Sequence, residues 1–207
     1  MTAAAIEARK SPRQQRARAT VEAIVEAAAR ILETAGPAGF NTNAVARRAG
    51  VSVGSLYQYF PGKQALVAEL SRRNAEAALE GLARVATRTS GQPTLARLRA
   101  FVRFAIAQQA ERPRLSRVLD QFEEALPLTT DARASTPAIL ALLTPVLTAG
   151  EAEPNAVALD LIAGDCLALA RTLIDRALDG GSLSCVGLED RVVGALAGYL
   201  RAAGVAV

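Results

Sequence analysis

Apolar residues recur every three or four positions along almost the whole chain, and this spacing is the strongest constraint on its fold. The stripe is clearest in residues 12–35, where it comprises Val21, Ile24, Val25, Ala28, Ile31 and Leu32. No stretch shows the two-residue alternation of a half-buried strand. Alanine and leucine are abundant and β-branched runs are few, which also favours helices. The sequence therefore predicts an all-α fold.

Glycine and proline residues divide the chain into about nine predicted helices. Pro145 lies inside one of them and should kink or split it, because proline has no backbone N–H to donate. The predicted helices span residues 12–35, 43–49, 53–60, 63–87, 94–110, 113–126, 137–149, 155–179 and 188–203.

The second and third predicted helices are short and are joined by the sequence AGVS, residues 49–52. Gly50 permits a sharp turn, and Thr42 and Ser52 are the predicted caps of the two helices. Two short helices joined in this way form a helix-turn-helix. In that motif the second helix enters the major groove of DNA while the first crosses the backbone.

The third helix has two different sides on a helical wheel. Leu56, Phe60 and Val53 share one side and are expected to face the protein core. The opposite side carries small or polar residues, namely Gly54, Ser55 and Gln58. The Gln58 amide can pair with an adenine edge, and a glycine lets the backbone approach the bases closely. This helix is therefore the predicted reader of the major groove.

Positive charge is concentrated in the N-terminal part of the chain, which contains this helix. Residues 1–63 hold nine Lys and Arg against four Asp and Glu, whereas residues 64–207 hold fifteen against sixteen. A positively charged N-terminal part can bind a polyanion such as DNA. Arg13, Arg16 and Arg18 would add attraction that does not depend on base sequence. The predicted DNA contacts are Thr42, Arg47, Arg48, Ser52, Val53, Gly54, Ser55, Tyr57, Gln58, Tyr59 and Lys63.

The segments AAARILETAG and FNTNAVARRAGVSVGSLYQYFPGKQALVAEL resemble the TetR family of bacterial transcriptional regulators. The resemblance is strong over residues of about 13–73 and rests on size and architecture beyond them. Asn43, Ala44 and Gly62 depart from residues that are common in the family. The resemblance implies a homodimer on a palindromic operator, with two recognition helices about 34–36 Å apart. It also implies a ligand-binding, dimerising C-terminal domain, in which a ligand shifts helix 4 and releases the DNA.

On this basis we expect three parts. Residues 1–10 are a disordered basic arm, and residues 11–62 are a DNA-binding domain. Helix 4, residues 63–87, joins that domain to a ligand-binding and dimerisation domain at residues 88–207. Helix 4 is expected to belong to both halves, because no flexible linker precedes it.

The last two helices are the predicted dimer interface, since their small residues permit close helix approach and two helices from each subunit make a four-helix bundle. The candidate interface residues are Leu161, Leu169, Leu173, Val192, Gly194, Ala195, Gly198 and Tyr199. The ligand is expected to be small and largely apolar. Its candidate contacts are Phe101, Phe104, Leu119, Phe122, Asp165 and Cys166, and Arg171 is a further polar residue in an apolar helix.

Other classes of function fit less well. A helical enzyme using Glu123, Glu124 or Asp165 would lack histidine, a GxSxG motif and a phosphate loop. We therefore expect no enzyme, cofactor or metal. An activator of the same family and a helical carrier with a vestigial helix-turn-helix are the alternatives. The two cysteines form no CxxC, and neither a signal peptide nor a membrane span is evident, so a cytoplasmic protein is expected.

Overall fold

The computed structural model describes residues 12–125, 131–147, 156–179 and 187–207. Over these residues the chain is helical and contains no strand, which confirms the all-α prediction. The helices are α1 (Pro12–Gly39), α2 (Thr42–Ala49), α3 (Val53–Tyr59), α4 (Lys63–Arg88), α5 (Thr94–Glu111), α6 (Pro113–Ala125), α7 (Asp131–Leu147), α8 (Ala156–Asp179) and α9 (Leu188–Ala202). None of these helices is long and apolar enough to cross a membrane.

One helix end agrees with the predictions and one helix start differs. Gly36 takes a left-handed φ of 62° and interrupts the regular part of α1 where its end was predicted, and a short helical stretch follows up to Gly39. The N-cap of α2 is Asn41 and not Thr42: the Asn41 carboxamide oxygen accepts a hydrogen bond from the Ala44 amide at 2.9 Å. Both residue types can cap a helix, so sequence alone could not choose between neighbours.

Helix α7 begins at Asp131, earlier than predicted, and runs through Pro137 and Pro145. Of the two expected effects of Pro145, a kink or a split, the split does not occur, because α7 is continuous through this residue. Pro145 lies in the last turn, so few backbone hydrogen bonds remain beyond it. Its carbonyl oxygen accepts a hydrogen bond from Arg97 Nη1 at 2.9 Å, which ties α7 to α5.

The chain divides into two compact units, residues up to Leu70 and residues from Ser71 onward, so that α4 contributes to both. In the first unit, α2 packs against α1 and α3 against α2. Its core lies where the apolar stripes of these helices meet the start of α4. The most buried of its larger side chains are Ile24, Leu32, Phe40, Val45, Leu56, Leu66 and Val67.

In the second unit, α9 packs against α5 and α8, and α7 packs against α8. A continuous apolar core joins these helices and includes Leu98, Val146, Ala163, Val192 and Leu200. An ion-pair network lies between α5 and α9: Arg99 Nη1 is 2.6 Å from Asp190 Oδ1, and Arg103 Nη2 is 2.9 Å from Glu189 Oε1. Hydrogen bonds from Arg103 and Arg99 hold the pKa of Glu189 below its usual value.

Candidate nucleic-acid interface and ligand cavity

The turn between α2 and α3 is built as the sequence predicted. Gly50 takes a left-handed φ of 69°, and the Val51 amide donates to the Ala46 carbonyl at 3.0 Å, which closes the end of α2. Ser52 caps α3, with its Oγ accepting from the Ser55 amide at 3.0 Å. The Ser52 and Ser55 hydroxyl oxygens lie 2.8 Å apart, so Ser55 is held at the start of the helix. These local bonds fix where α3 begins.

Helix α3 has one buried and one exposed side. Leu56 is fully buried and Phe60 nearly so, whereas Gly54 and Gln58 are exposed and Ser55 is half-buried. The prediction that Val53 faces the core is wrong, because its side chain is 38% exposed. Val53 is the first residue of the helix, and a helical side chain leans toward the N-terminus, beyond the end of the buried stripe. The exposed side of α3 is therefore small and polar, with Val53 at its start.

Tyr57 and Tyr59 are also exposed, at 50% and 39%. The Tyr57 hydroxyl oxygen lies 3.3 Å from Thr42 Oγ1, so it is held near the first turn of α2. Tyrosine hydroxyls and free amides at a helix start are both able to bind phosphate. Thr42 and Tyr57 together offer such groups from two different helices of the motif.

The basic residues predicted to contact DNA are exposed as well. Arg47 and Arg48 lie in the last turn of α2, and Lys63 is the first residue of α4. Arg16 and Arg18 on α1 are exposed, while the Arg13 side chain lies outside the described residues. Every residue predicted to contact DNA whose side chain the structure describes is thus at least partly accessible in the first unit.

Lys63 provides a test of the electrostatic part of this interface. We expect Lys63→Ala to weaken binding to all duplexes alike, because a phosphate contact carries no base information, and to reduce the slope of log K against log salt concentration by about one. Lys63→Arg, which keeps the charge, is the matched control and should keep the slope. A slope unchanged in Lys63→Ala would remove Lys63 from the phosphate contacts.

The second unit contains a cavity of about 220 Å³, and its lining residues among those the structure describes come from Ser71 onward. Its wall is mainly apolar. The apolar lining residues are Ala75, Ala78, Leu82, Phe101, Val102, Ala105, Ile139, Leu143, Cys166, Leu167, Ala170, Ile174 and Leu196. Polar residues complete the wall, namely Ser71, Asn74, Gln108, Gln109, Asp120, Thr136 and Arg171. A mostly apolar cavity with a few polar groups is the usual form of a small-molecule site.

Only part of the predicted ligand set lines this cavity. Phe101 and Cys166 do. Phe104 instead places its ring over Gly81 of α4, where an added Cβ would lie 2.0 Å from Phe104 Cζ. Leu119 is buried elsewhere at 2% exposure, and Phe122 is half-buried outside the lining.

Asp165 also lies outside the cavity lining. It is exposed, and its carboxylate accepts a hydrogen bond from the Tyr199 hydroxyl. Arg171 Nη2 contacts Asp120 Oδ1 at 2.5 Å, so the polar residue singled out in α8 pairs within its own chain. Sequence reasoning missed the cavity's other polar residues. Each is a polar residue close to an apolar helical stripe, which is a weak signal.

Cys166 is poorly suited to sensing oxidants. Burial, with a smaller contribution from the neighbouring Asp165 charge, raises the pKa of its thiol to about 11 from an ordinary value of 9.0. Because the thiolate is the reactive form, its fraction at pH 8 falls about a hundredfold.

We therefore expect Cys166 to react slowly with iodoacetamide at pH 8 in a Cys185→Ser variant, and to react faster as the pH rises toward 11. The same variant in denaturant is the control and should react at the ordinary rate of a free thiol. Equal rates in the folded and unfolded protein would show that the thiol is accessible and ionised.

Helices α8 and α9 leave an apolar surface exposed. Leu161 is 67% exposed and Leu169 is 37% exposed. Gly194, Ala195 and Gly198 of α9 are exposed, and Leu173 and Tyr199 are half-buried. Val192, by contrast, is fully buried in the core of its own unit. The name α8–α9 surface is used for the surface formed by Leu161, Leu169, Leu173, Gly194, Ala195, Gly198 and Tyr199.

Comparison with known proteins agrees with this architecture. Residues 24–70 match the family model described as bacterial regulatory proteins, tetR family. No curated protein sequence matches the chain. A TetR-family transcriptional regulator from Streptomyces coelicolor has a similar structure, with a TM-score of 0.68 at 22% identity over 89% of this chain and 99% of that chain.

Two further solved structures are similar over most of their length. A transcriptional regulator from Rhodococcus sp. RHA1 gives a TM-score of 0.72 at 22% identity, covering 90% of this chain and 97% of that chain. The transcriptional regulator FadR from Bacillus subtilis, solved in complex with stearoyl-CoA, gives 0.70 at 18% identity, covering 85% and 97%.

The fold and the exposed side of α3 define a helix-turn-helix protein with a helical second unit. Residues 24–70 match the TetR-family model, and the described helices have the fold of solved TetR-family transcriptional regulators. The resemblance inferred from the sequence is confirmed.

Proposed function

We propose that this protein is a transcriptional repressor that binds a palindromic operator as a homodimer and is released by a small, largely apolar ligand. The observation that carries the DNA-binding part is the two-sided α3. Leu56 and Phe60 fasten it to the first unit, while Gly54 and Gln58 remain exposed. A helix held in this way can place its polar side chains and its backbone in the major groove while the core of the first unit stays folded.

The α8–α9 surface supports the homodimer. Leu161 and Leu169 would each remove apolar area from water on association, and glycines at 194 and 198 would let helices approach closely. A two-fold dimer presents two copies of α3, so it would select two inverted half-sites about 34–36 Å apart. A DNA-binding regulator acts beside the chromosome, and we therefore place the protein in the cytoplasm.

The cavity supports control by a ligand. A hundredfold loss of operator affinity requires about 2.7 kcal/mol of differential ligand binding. Burying about 110 Å² more apolar area in the released state supplies that amount. The FadR structure holds stearoyl-CoA, whose long acyl chain is apolar although its CoA part is charged, and this supports a ligand with a large apolar part in a protein of this fold. Helix α4 carries both Lys63 and the cavity residue Leu82, so its displacement is the proposed link.

The proposal is tested by selecting duplexes from a random pool with the full chain. We expect an inverted repeat to be enriched, with affinity that falls steeply as salt concentration rises. A carrier with a vestigial helix-turn-helix would enrich no sequence. An activator would enrich one as well, so transcription from a promoter carrying the selected site must fall when the protein is added. A rise would favour the activator.

A further inference from the structure

Helix α3 exposes apolar side chains as well as polar ones. Among the described residues of the first unit, the large apolar side chains with the greatest exposure are Val53, Tyr57 and Tyr59. All three belong to this one short helix. Exposed apolar residues that cluster in this way indicate a surface that contacts another molecule.

Val53 contributes little to the stability of the free protein. It lies outside the buried stripe of Leu56 and Phe60. Valine is also a weaker helix former than alanine, because its branched side chain loses rotamer freedom in a helix. Since neither core packing nor helix propensity accounts for a valine at this position, a contact made in the bound state is the better explanation.

Val53 and Tyr57 form one apolar strip on α3. Residues four apart on a helix lie on the same side, with about 5–6 Å between their Cβ atoms. The Tyr57 hydroxyl oxygen is 3.3 Å from Thr42 Oγ1, so the end of that side chain is held near α2. Gly54, the neighbour of Val53, is exposed and has no side chain, so it does not shield Val53 from a partner.

The chemistry of the major groove limits what this strip can contact. Arg47 and Arg48 of α2 and Lys63 of α4 are exposed in the same unit and favour a polyanion as the partner. The base edges in the major groove carry hydrogen-bond donors and acceptors, and their one apolar group is the C5 methyl of thymine. In unmethylated DNA an apolar side chain on α3 can therefore select thymine.

We propose that Val53 reads thymine, because its methyl groups pack against the C5 methyl of one thymine in each half-site. This deepens the proposed function and rests on it for the placement of α3 in the major groove. Val53 lies five residues before Gln58, which is about 7.5 Å along the helix axis, so the two side chains reach different base pairs. Each half-site therefore contains a thymine that is separate from the position read by Gln58.

The proposal is tested on the selected duplex by replacing each thymine in turn with deoxyuridine, in both half-sites. Deoxyuridine pairs with adenine as thymine does and lacks only the C5 methyl group. We expect one thymine position at which the exchange weakens binding of the parent protein about fourfold per half-site, the effect of one buried methyl group. Fluorescence anisotropy gives the affinities.

The Val53→Ala variant decides which side chain makes the contact. At the same position it should bind the thymine and deoxyuridine duplexes with nearly equal affinity. Its melting temperature should not fall, because the side chain is exposed and alanine is the better helix former. Val21→Ala makes the same change at a half-buried valine of α1 and is the matched control, which should keep the parent's preference for thymine.

Two outcomes overturn the proposal and leave the proposed function intact. One is a selected inverted repeat on which no deoxyuridine exchange weakens binding. The other is a thymine preference that Val53→Ala keeps in full, which would assign the methyl contact to another side chain. If no duplex is selected, the thymine contact and the proposed function both fail.

Discussion

Replacing Gly54 with leucine should abolish specific DNA binding and leave the protein folded. In the free protein Gly54 is exposed, and a Cβ at this position would meet only Ser52 Oγ, at 3.9 Å. Leucine is the better helix former by roughly 0.8 kcal/mol, so α3 should not be weakened. In the groove the leucine side chain would occupy the space through which the backbone approaches the bases. We expect a loss of more than about a hundredfold, or 2.7 kcal/mol.

This expectation is checked by fluorescence anisotropy with the selected duplex and by thermal unfolding of the same preparation. Ala23→Leu places the same side chain at an exposed position on α1 and is the matched control. It should change neither measurement appreciably. A Gly54→Leu protein that binds the duplex as the parent does would show that α3 does not approach DNA along this side.

Introducing arginine at Leu161 should separate the proposed dimer and thereby weaken operator binding. Leu161 is 67% exposed in the subunit, so the substitution leaves the subunit core intact. In the dimer the same arginine would place a charge in an apolar interface, which is costly unless it is paired. A monomer holds one half-site and loses the benefit of two linked contacts, so we expect operator affinity to fall at least about a hundredfold.

Sedimentation at micromolar concentration gives the oligomeric state, and anisotropy gives the affinity. Ala141→Arg is the control, because Ala141 is exposed on α7 of the same unit and lies outside the α8–α9 surface. It should remain dimeric. A parent protein that sediments as a monomer, or a Leu161→Arg protein that stays dimeric, would contradict the assigned interface.

The helix-turn-helix could be predicted from sequence because its determinants are local. The Gly50 turn, the Ser52 cap and the spacing of Leu56 and Phe60 lie within a few residues of one another. Each acts through the backbone of its own segment. Only Val53 was misplaced within α3, since a wheel does not show where the buried stripe ends.

The cavity and the proposed dimer surface depend on how helices that are distant in the sequence pack together, so they could be predicted from the sequence only in part. Asp120 and Arg171 are 51 residues apart, and nothing near either residue indicates that they pair. Val192 and Leu161 are both apolar residues in helical stripes, yet the packing of α8 and α9 buries one fully and leaves the other exposed.

The central claim is that the exposed side of α3 reads bases, and duplex selection with Gln58→Ala tests it most directly. An amide paired with an adenine edge contributes roughly 1–3 kcal/mol of discrimination at its position. The account predicts that the parent and variant enrich the same inverted repeat, except that the variant loses preference at one position in each half-site. Identical enrichment at every position would show that Gln58 does not read the sequence and would contradict the account.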